Sequence, residues 1–143
     1  MLLLVIVAAL FSGCCANILQ PYNETALNMF HGNDFNGDGK FERSELDFTF
    51  YVYDTEPLDG IISRLEYTSY INKTTPELYR LSHELYDIYD IDNDNRLEKH
   101  DYDAFFQLMD SDDDGWVTEH EFVHYWTILL ESLGHLIDVG GTR

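Results

Sequence analysis

The sequence predicts an all-α fold of about six helices in two homologous halves, with acidic loops between the helices. Apolar residues recur at i, i+3, i+4 and i+7, the pattern of a helix with one buried face. The clearest runs are Leu78, Leu81, Leu85 and Ile88, then Tyr102, Phe105, Phe106 and Met109, and then Phe122, Tyr125, Trp126, Leu129, Leu130 and Leu133. We expect these side chains to form the core.

An internal repeat divides the chain into the two halves. At an offset of 56 the matching residues are Phe30 and Tyr86, Asp34 and Asp90, Asp38 and Asp94, Glu45 and Asp101, Phe50 and Phe106, and Asp54 and Asp110. Farther along the chain the offset falls to 55, so one residue has been inserted between Asp54 and Asp59. The repeat predicts a first half at 17–72 and a second half at 73–143.

A short polar linker, residues 72–76, is expected between the halves. Thr75 would cap a new helix, and Pro76 would occupy the first position of that helix. Asn72 begins an acceptor sequon for N-glycosylation, and Asn23 begins a second one. We therefore expect N-glycans at these two asparagines.

The chain is strongly acidic, with 27 acidic and 8 basic residues and a net charge of −19. This charge disfavours nucleic acid and anionic membranes as partners, and it favours cations and basic surfaces. Hydrophobic residues make up 45% of the chain, which is too much apolar material for a disordered acidic tail. We expect a folded domain whose charge is neutralised by bound cations.

The first residues predict a signal for export. Residues 1–11 form an uninterrupted apolar run, too short to span a bilayer, and small residues then lead to Ala16, after which we expect cleavage. Cys14 and Cys15 lie inside this 1–16 segment, so the mature chain would lack a disulfide. No Lys or Arg precedes the run, which leaves a buried amino-terminal helix and a lipoprotein signal as alternatives. We predict a secreted, extracellular protein without a membrane span.

The segment 110–121 has the spacing of a loop that wraps around one cation. Carboxylates stand at positions 1, 3, 5 and 12, and Gly115 at position 6 permits a sharp turn. The predicted ligands are Asp110, Asp112, Asp114, the carbonyl of Trp116 and Glu121. Hard oxygen ligands in this number favour Ca²⁺. Val117 at position 8 is apolar, as a short β-bridge to a partner loop requires.

This arrangement resembles the EF-hand family of calcium-binding proteins, and it recurs twice more. In the loop 34–45 the matching residues are Asp34, Asn36, Asp38, the carbonyl of Lys40 and Glu45. In the loop 90–101 they are Asp90, Asp92, Asp94, the carbonyl of Arg96 and Asp101. The resemblance covers residues 30–132 and implies helix-loop-helix repeats with three Ca²⁺ sites.

Two loops depart from the family pattern. In the loop 90–101, Asn95 replaces the glycine and Asp101 is one methylene shorter than glutamate, so we expect weaker calcium binding there with Mg²⁺ competing. The loop 54–66 has thirteen residues, and Pro57 sits near a ligand position. It retains Asp59, Gly60, Ile62 and Glu66. We expect its helix-turn-helix geometry to survive without calcium.

The interval between consecutive loops is short in each half. The segments 46–53 and 102–109 contain no Gly or Pro, so a single helix is expected to serve the loops on either side of it. Consecutive loops would then lie at opposite ends of that helix. We therefore predict that loops pair by β-bridges between the halves and not within them.

The residues 120–124, His-Glu-Phe-Val-His, also match a zinc protease motif. On a helix, His120 and His124 would share one face for zinc, with Glu121 as general base. Glu121 would then have to serve both zinc chemistry and the calcium loop, and no third ligand is evident. We therefore expect a protein that is not an enzyme, with a zinc metalloprotease as the remote alternative.

These patterns predict a secreted calcium-binding protein that acts as an extracellular buffer or as a structural matrix component. It is similar in type to the acidic EF-hand proteins of invertebrate shell matrices, which suggests contact with mineral or extracellular matrix. Only Met29 and Met109 follow the signal, which disfavours a promiscuous methionine-rich sensor. The alternatives are a calcium buffer in the lumen of the secretory pathway and a calcium-dependent binder of one partner.

Overall fold

The computed structural model describes residues 19–136, whose regular structure consists of six α-helices and two small antiparallel sheets. In chain order these elements are α1 Tyr22–Asn33, β1 Lys40–Phe41, α2 Arg43–Tyr51, β2 Ile62–Ser63, α3 Arg64–Thr74, α4 Tyr79–Tyr89, β3 Arg96–Leu97, α5 Lys99–Met109, β4 Val117–Thr118 and α6 Glu119–Leu133. Short 3₁₀ turns follow α3 and α6, at Pro76–Leu78 and Gly134–Leu136. The structure agrees with the predicted all-α class and with the expected six helices.

Each half has a single helix between its two loops, as the unbroken segments predicted. In the first half this helix is α2, and in the second half it is α5. The nine residues of α2 span roughly 13 Å, at about 1.5 Å per residue. The loops before and after each helix therefore lie at its opposite ends.

The two sheets join the first half of the chain to the second. β1 pairs with β4, and β2 pairs with β3, both in antiparallel register. The register places Lys40 opposite Thr118, Phe41 opposite Val117, Ile62 opposite Leu97 and Ser63 opposite Arg96. The prediction that loops pair between the halves is confirmed.

The helices also pair across the halves, in reverse order along the chain. α1 packs along α6, α2 against α5, and α3 along α4. Two arginines reinforce these contacts, since Arg43 forms an ion pair with Asp103 and Arg64 forms one with Asp87. Each half is thus completed by the other.

One aromatic core is shared by both halves. Every residue of the three apolar runs that predicted the helices is buried or packs against this core. Phe122 of α6 makes edge-to-face contacts with Phe30 and Phe41 of the first half, at ring-centroid distances of 5.5 and 5.2 Å. Full burial of one such side chain contributes about 1.5–3 kcal/mol, so the shared core holds the halves together as one unit.

The junction between the halves is shorter than the predicted linker. α3 continues through Thr74, so the first three residues of the expected linker 72–76 are helical. Pro76 begins a 3₁₀ turn, and α4 begins only at Tyr79. The Thr75 side chain makes no capping hydrogen bond, and its backbone carbonyl accepts from the amide of Leu78 at 2.9 Å. The expected side-chain cap at Thr75 is therefore wrong.

Part of the export prediction falls outside the described residues, because the 1–16 signal and both cysteines precede residue 19. The two sequon asparagines are within the described part and are exposed, Asn23 in the first turn of α1 and Asn72 in the last turn of α3. Between residues 19 and 136, no helix combines the length and the apolar character needed to cross a membrane.

Candidate metal sites

A common hydrogen-bond frame shapes the first half of each acidic loop. In the loop 110–121, the carboxylate of Asp110 accepts from the amides of Asp114 and Gly115, at 3.1 and 2.9 Å. Asp114 in turn accepts from the amide of Trp116 at 3.2 Å. These bonds curl the backbone around the carboxylate at position 1, which is 7% exposed. The aspartate spacing seen in the sequence therefore produces a closed turn.

The same frame is present in the other three loops. Positions are counted from the first aspartate, and in the loop 54–66 the inserted residue is skipped so that Glu66 is position 12. The carboxylate at position 1 accepts from the amides at positions 5 and 6 at 3.1 and 2.8 Å for Asp34, 3.1 and 2.8 Å for Asp90, and 3.3 and 2.8 Å for Asp54. The loop 54–66 thus keeps its geometry despite its extra residue, as predicted.

The carboxylate at position 12 closes each loop from the first turn of the following helix. Glu121 accepts from the amide and hydroxyl of Ser111, at 2.7 and 2.8 Å, with one oxygen. Its other oxygen accepts from the amide and hydroxyl of Thr118, at 3.0 and 2.8 Å. These bonds form a capping box, because Thr118 is the N-cap of α6 and also accepts from the amide of Glu121. The box holds the carboxylate against the loop.

The loops of each half differ in what surrounds position 12. Thr118 and Ser63 place a hydroxyl at position 9 beside the glutamate in the loops 110–121 and 54–66. In the loops 34–45 and 90–101 position 9 is a glutamate, so Glu45 and Asp101 receive backbone amides alone. One loop of each half therefore has a half-buried carboxylate at position 9 where the other loop has a hydroxyl donor.

Burial and these donors together set the direction in which the pKa of the carboxyl at position 12 shifts, because Glu45 and Asp101 are buried whereas Glu66 and Glu121 are half-buried. Desolvation by burial acts to raise the pKa of all four carboxyls, and it prevails at Glu45 and Asp101, whose pKa values are raised. At Glu66 and Glu121 the hydrogen bonds from backbone amides and hydroxyls outweigh burial. They lower the pKa of Glu66, and they lower the pKa of Glu121 to about 2.

The structure brings most of the predicted ligands together. Ligand atoms within 4.8 Å of one another come from Asp110, Asp112 and Glu121 in one loop, and from Asp90, Asp92 and Asp94 in another. Asp114 lies in the same turn as Asp110, bound to it through its own amide. A third such group consists of Asp92, His100 and Asp101.

The loop 34–45 has an amide in place of one carboxylate. Asn36 directs its side-chain oxygen into the loop, where it accepts from the amide of Asp38 at 2.9 Å. Its side-chain nitrogen donates outward to Glu42 at 2.9 Å. Asp34, Asn36 and Asp38 therefore present oxygen atoms around one turn, with Glu45 closing it from α2.

The residues at positions 6 to 8 behave as the spacing predicted. Asn95 adopts φ 67°, the left-handed conformation that Gly115 adopts with φ 97° in the equivalent place. Lys40 and Arg96, whose carbonyls are predicted ligands, open β1 and β3, and Trp116 directly precedes β4. The position 8 residues Phe41, Leu97 and Val117 are fully buried in the bridges between loops.

The loop 54–66 lacks part of the ligand set. Its first residues, up to Leu58, contain no left-handed position, whereas the other loops have one at position 4 in Gly37, Asn93 and Asp113. Leu58 is exposed to solvent. Within residues 19–136, neither this loop nor the loop 34–45 has three carboxylate or histidine ligand atoms within 4.8 Å of one another, and in the loop 34–45 Asn36 takes the place of one carboxylate.

The histidines of the zinc protease motif lie on the exposed face of α6. The rings of His120 and His124 are nearly parallel, 6.2 Å apart, and within the described chain neither belongs to a group of three metal-ligating side chains. Glu121, the expected base, has both oxygens bonded to the loop. In the described chain, Glu121 therefore closes the loop 110–121, while the two imidazoles lie beside it on the exposed face of α6.

Sequence reasoning missed three features of these sites. The hydrogen bonds from the position 9 hydroxyls to the position 12 glutamates have a signal in the Thr-x-x-Glu and Ser-x-x-Glu spacings of a capping box. The Ser111 hydroxyl and the His100 imidazole left no signal, because their contacts depend on how each loop curls.

Comparisons of the chain with protein-family models, with curated proteins and with solved structures found no match.

Proposed function

We propose that this protein is a secreted calcium-binding protein with three ion loops of the EF-hand type, acting as an extracellular calcium buffer or as a structural component of a matrix. The observation that carries the proposal is the repeated loop frame, which in the loops 90–101 and 110–121 gathers carboxylate oxygens from both ends of the loop. Asp110, Asp112 and Glu121 have ligand atoms within 4.8 Å of one another.

The chemistry of the loops fits a hard divalent cation. Every predicted ligand is a carboxylate, an amide oxygen or a backbone carbonyl, and oxygen ligands of this kind suit Ca²⁺. The residues that would hold the ions are Asp34, Asn36, Asp38, Lys40 and Glu45; Asp90, Asp92, Asp94, Arg96 and Asp101; and Asp110, Asp112, Asp114, Trp116 and Glu121. Mg²⁺ competes in the loop 90–101, where Asp101 has the shorter side chain.

Electrostatics supports the need for bound cations. Two like charges about 4 Å apart repel by roughly 1 kcal/mol in water and about 4 kcal/mol at the dielectric typical near a protein surface. At Asp112, desolvation and the neighbouring charges of Asp114 and Glu121 raise the pKa. Three divalent ions would offset six of the nineteen net negative charges, so ion binding and folding are coupled.

A buffering or structural role suits the way the halves are joined. Their helices are interlocked and share one core, so the halves are not separate lobes joined by a tether. Extracellular loops of this type bind calcium at about 10⁻⁴ to 10⁻³ M. The protein would therefore be filled outside cells, where its remaining negative charge favours mineral or basic matrix surfaces.

Terbium titration of the purified, signal-free protein tests this function. Trp116 lies within the loop 110–121 and should sensitise emission from a bound lanthanide, while calorimetry with Ca²⁺ counts the sites. We expect three sites, with the one in the loop 90–101 weakest. No calcium uptake at millimolar concentration, together with identical circular dichroism in calcium and in chelator, would overturn the proposal.

Two further measurements address location and role. Secretion from a eukaryotic host with a glycosidase-sensitive mass shift at Asn23 and Asn72 would support export. Calcium-dependent adsorption to calcium carbonate would favour a matrix role. Calcium-dependent capture of one component from the native extracellular fluid would favour the partner-binding alternative.

A further inference from the structure

We propose that the loop 90–101 also binds Zn²⁺, through Asp92, His100 and Asp101. This inference rests on the proposed function, because it assigns a second ion to a loop proposed to bind calcium. The three residues stand at positions 3, 11 and 12, and only the first and last belong to the predicted calcium ligands.

The three ligand atoms lie within 4.8 Å of one another, close to the spacing that a zinc ion requires. Nε2 of His100 lies 2.9 Å from Oδ2 of Asp92 and 3.6 Å from Oδ2 of Asp101. Ligands bound to zinc at about 2.0–2.2 Å in tetrahedral geometry lie roughly 3.3–3.6 Å apart. Small side-chain adjustments would therefore fit an ion between the imidazole and the two carboxylates.

One ligand of the group is fixed and two are accessible. Asp101 is fully buried, and its carboxylate accepts from the amides of Ile91 and Glu98 at 2.9 and 3.0 Å. The side chains of Asp92 and His100 are 47% and 55% exposed, so an ion can enter from solvent and keep a water as fourth ligand.

The loop 110–121 provides an internal contrast, since it also has a histidine at position 11. There His120 stacks on His124 instead, and the ligand group consists only of carboxylates, from Asp110, Asp112 and Glu121. Glu121 reaches the group around position 1, whereas the shorter Asp101 groups with Asp92 and His100. The shorter side chain at position 12 thus accompanies a mixed nitrogen and oxygen site.

The donor set determines which ion is favoured. Ca²⁺ and Mg²⁺ take oxygen ligands, while imidazole nitrogen suits Zn²⁺ and its neighbours in the transition series. Because Asp92 and Asp101 belong to both sets, the loop would hold one ion at a time. Zinc would therefore displace calcium from the loop 90–101 and leave the loops 34–45 and 110–121 filled.

Calorimetric titration of the purified protein with Zn²⁺, at a calcium concentration that fills the two stronger loops, tests the proposal. We expect one zinc per chain, with an apparent affinity that falls as calcium is raised. His100→Gln should weaken zinc binding at least about tenfold, since even loss of a group behind a ligand costs 10–100-fold. His120→Gln, the matched control, should leave zinc affinity unchanged.

Two readouts separate this proposal from the calcium function. Zinc should shift the imidazole ¹⁵N resonances of His100, and it should leave the terbium emission sensitised by Trp116 unchanged. Three calcium sites with zinc affinity unaffected by His100→Gln would overturn the zinc site alone, as would zinc binding that depends on His120 or His124. Zinc binding through His100 in a protein that takes up no calcium would overturn the calcium function alone.

Discussion

The two β-bridged loop pairs share one hydrogen-bond frame but differ in the residues available to an ion. In the first pair, the loops 34–45 and 110–121, both loops have glycine at position 6 and glutamate at position 12. In the second pair, the loop 54–66 carries an insertion, and the loop 90–101 has Asn95 and Asp101 at those positions. The frame depends on positions 1 and 12, which carry carboxylates in all four loops. The second pair therefore keeps its shape, although its loop 54–66 lacks part of the ligand set.

This contrast separates the structural role of a loop from its capacity to bind an ion. Each half contributes one loop to each pair, and the two complete loops meet across the halves. The proposed ions of the first pair would therefore join the beginning of the chain, through α1 and α2, to its end, through α5 and α6. The second pair would hold only one ion, in the loop 90–101, with the loop 54–66 as its scaffold.

The largest expected effect comes from removing the position 12 carboxylates of the first pair, because both of its loops would lose an ion. Glu45→Gln with Glu121→Gln should reduce the calcium sites from three to one. A site filled at a hundred times its Kd stabilises by about 2.7 kcal/mol, so this variant should lose about 5 kcal/mol of calcium-dependent unfolding free energy. Calorimetry and urea unfolding in calcium measure both quantities.

The matched control carries Glu66→Gln with Asp101→Asn in the second pair. It should lose one site and, because that site binds about tenfold more weakly, only about 1.4 kcal/mol. Equal losses in the two double variants would show that the pairs are equivalent.

A reciprocal exchange at position 12 should reverse the order of affinity. Asp101→Glu should strengthen calcium binding in the loop 90–101 about tenfold, or about 1.4 kcal/mol, because glutamate can close the loop with both oxygens. Glu121→Asp should weaken the loop 110–121 by a similar factor. Calcium calorimetry measures the first variant and terbium emission from Trp116 the second, and unchanged affinities in both would contradict this role of side-chain length.

The pH dependence should distinguish the two loops of the first pair when no ion is bound. The lowered pKa of Glu121, about 2, stabilises the fold above pH 4.5, and this stabilisation is lost as the pH falls towards 2. Glu121→Gln should therefore lower the free energy of unfolding of the ion-free protein at pH 7. In acid, the unfolding free energies of the variant and the wild type should become equal. Urea unfolding in chelator, with sucrose to favour the folded chain, measures the difference.

Glu45→Gln should have the opposite sign under the same conditions. Burial raises the pKa of Glu45, so its charged form disfavours the ion-free fold and protonation below that pKa relieves the penalty. The Glu45→Gln variant without ions should therefore be at least as stable at pH 7 as the wild type without ions. Loss of stability at pH 7 in this variant would contradict the raised pKa.

The smallest expected effect concerns the bridge of the first pair. The ammonium of Lys40 lies 3.8 Å from the centroid of the Trp116 ring, a cation–π contact between the two loops worth about 0.5–1 kcal/mol at an exposed site. Lys40→Met should cost that much in urea unfolding and alter tryptophan fluorescence. Arg96→Met at the equivalent position of the second pair should change the free energy of unfolding by less than about 0.5 kcal/mol. Equal losses of stability in the two variants would contradict this difference between the bridges.

Much of the fold follows from local rules in the sequence. The apolar runs predicted α4, α5 and α6, because burial selects one face of each helix, and the repeat extended this prediction to the first half. The absence of Gly and Pro in 46–53 and 102–109 predicted the cross-half pairing, because one rigid helix cannot bring the loops at its two ends together. The conformation of Asn95 followed from the intrinsic tolerance of asparagine for positive φ.

Other features depend on contacts that local rules do not contain. Thr74 is helical because α3 packs along α4, which overrides the polar composition of the expected linker. The contact of His100 with Asp92 depends on a side-chain rotamer, and the ion pair of Arg43 with Asp103 joins residues sixty positions apart. The positions of the acidic loops were predictable, whereas the differences in pKa between their position 12 carboxyls were not.

The pairing of β1 with β4 and of β2 with β3 also decides when the protein can fold during synthesis. Both strands of the first half lack a partner until the second half has been made. Two polypeptides divided at the 3₁₀ turn Pro76–Leu78 would therefore complement each other in a split protein. Two intact chains at high concentration would exchange halves in the same way, giving a swapped dimer with every bridge intact.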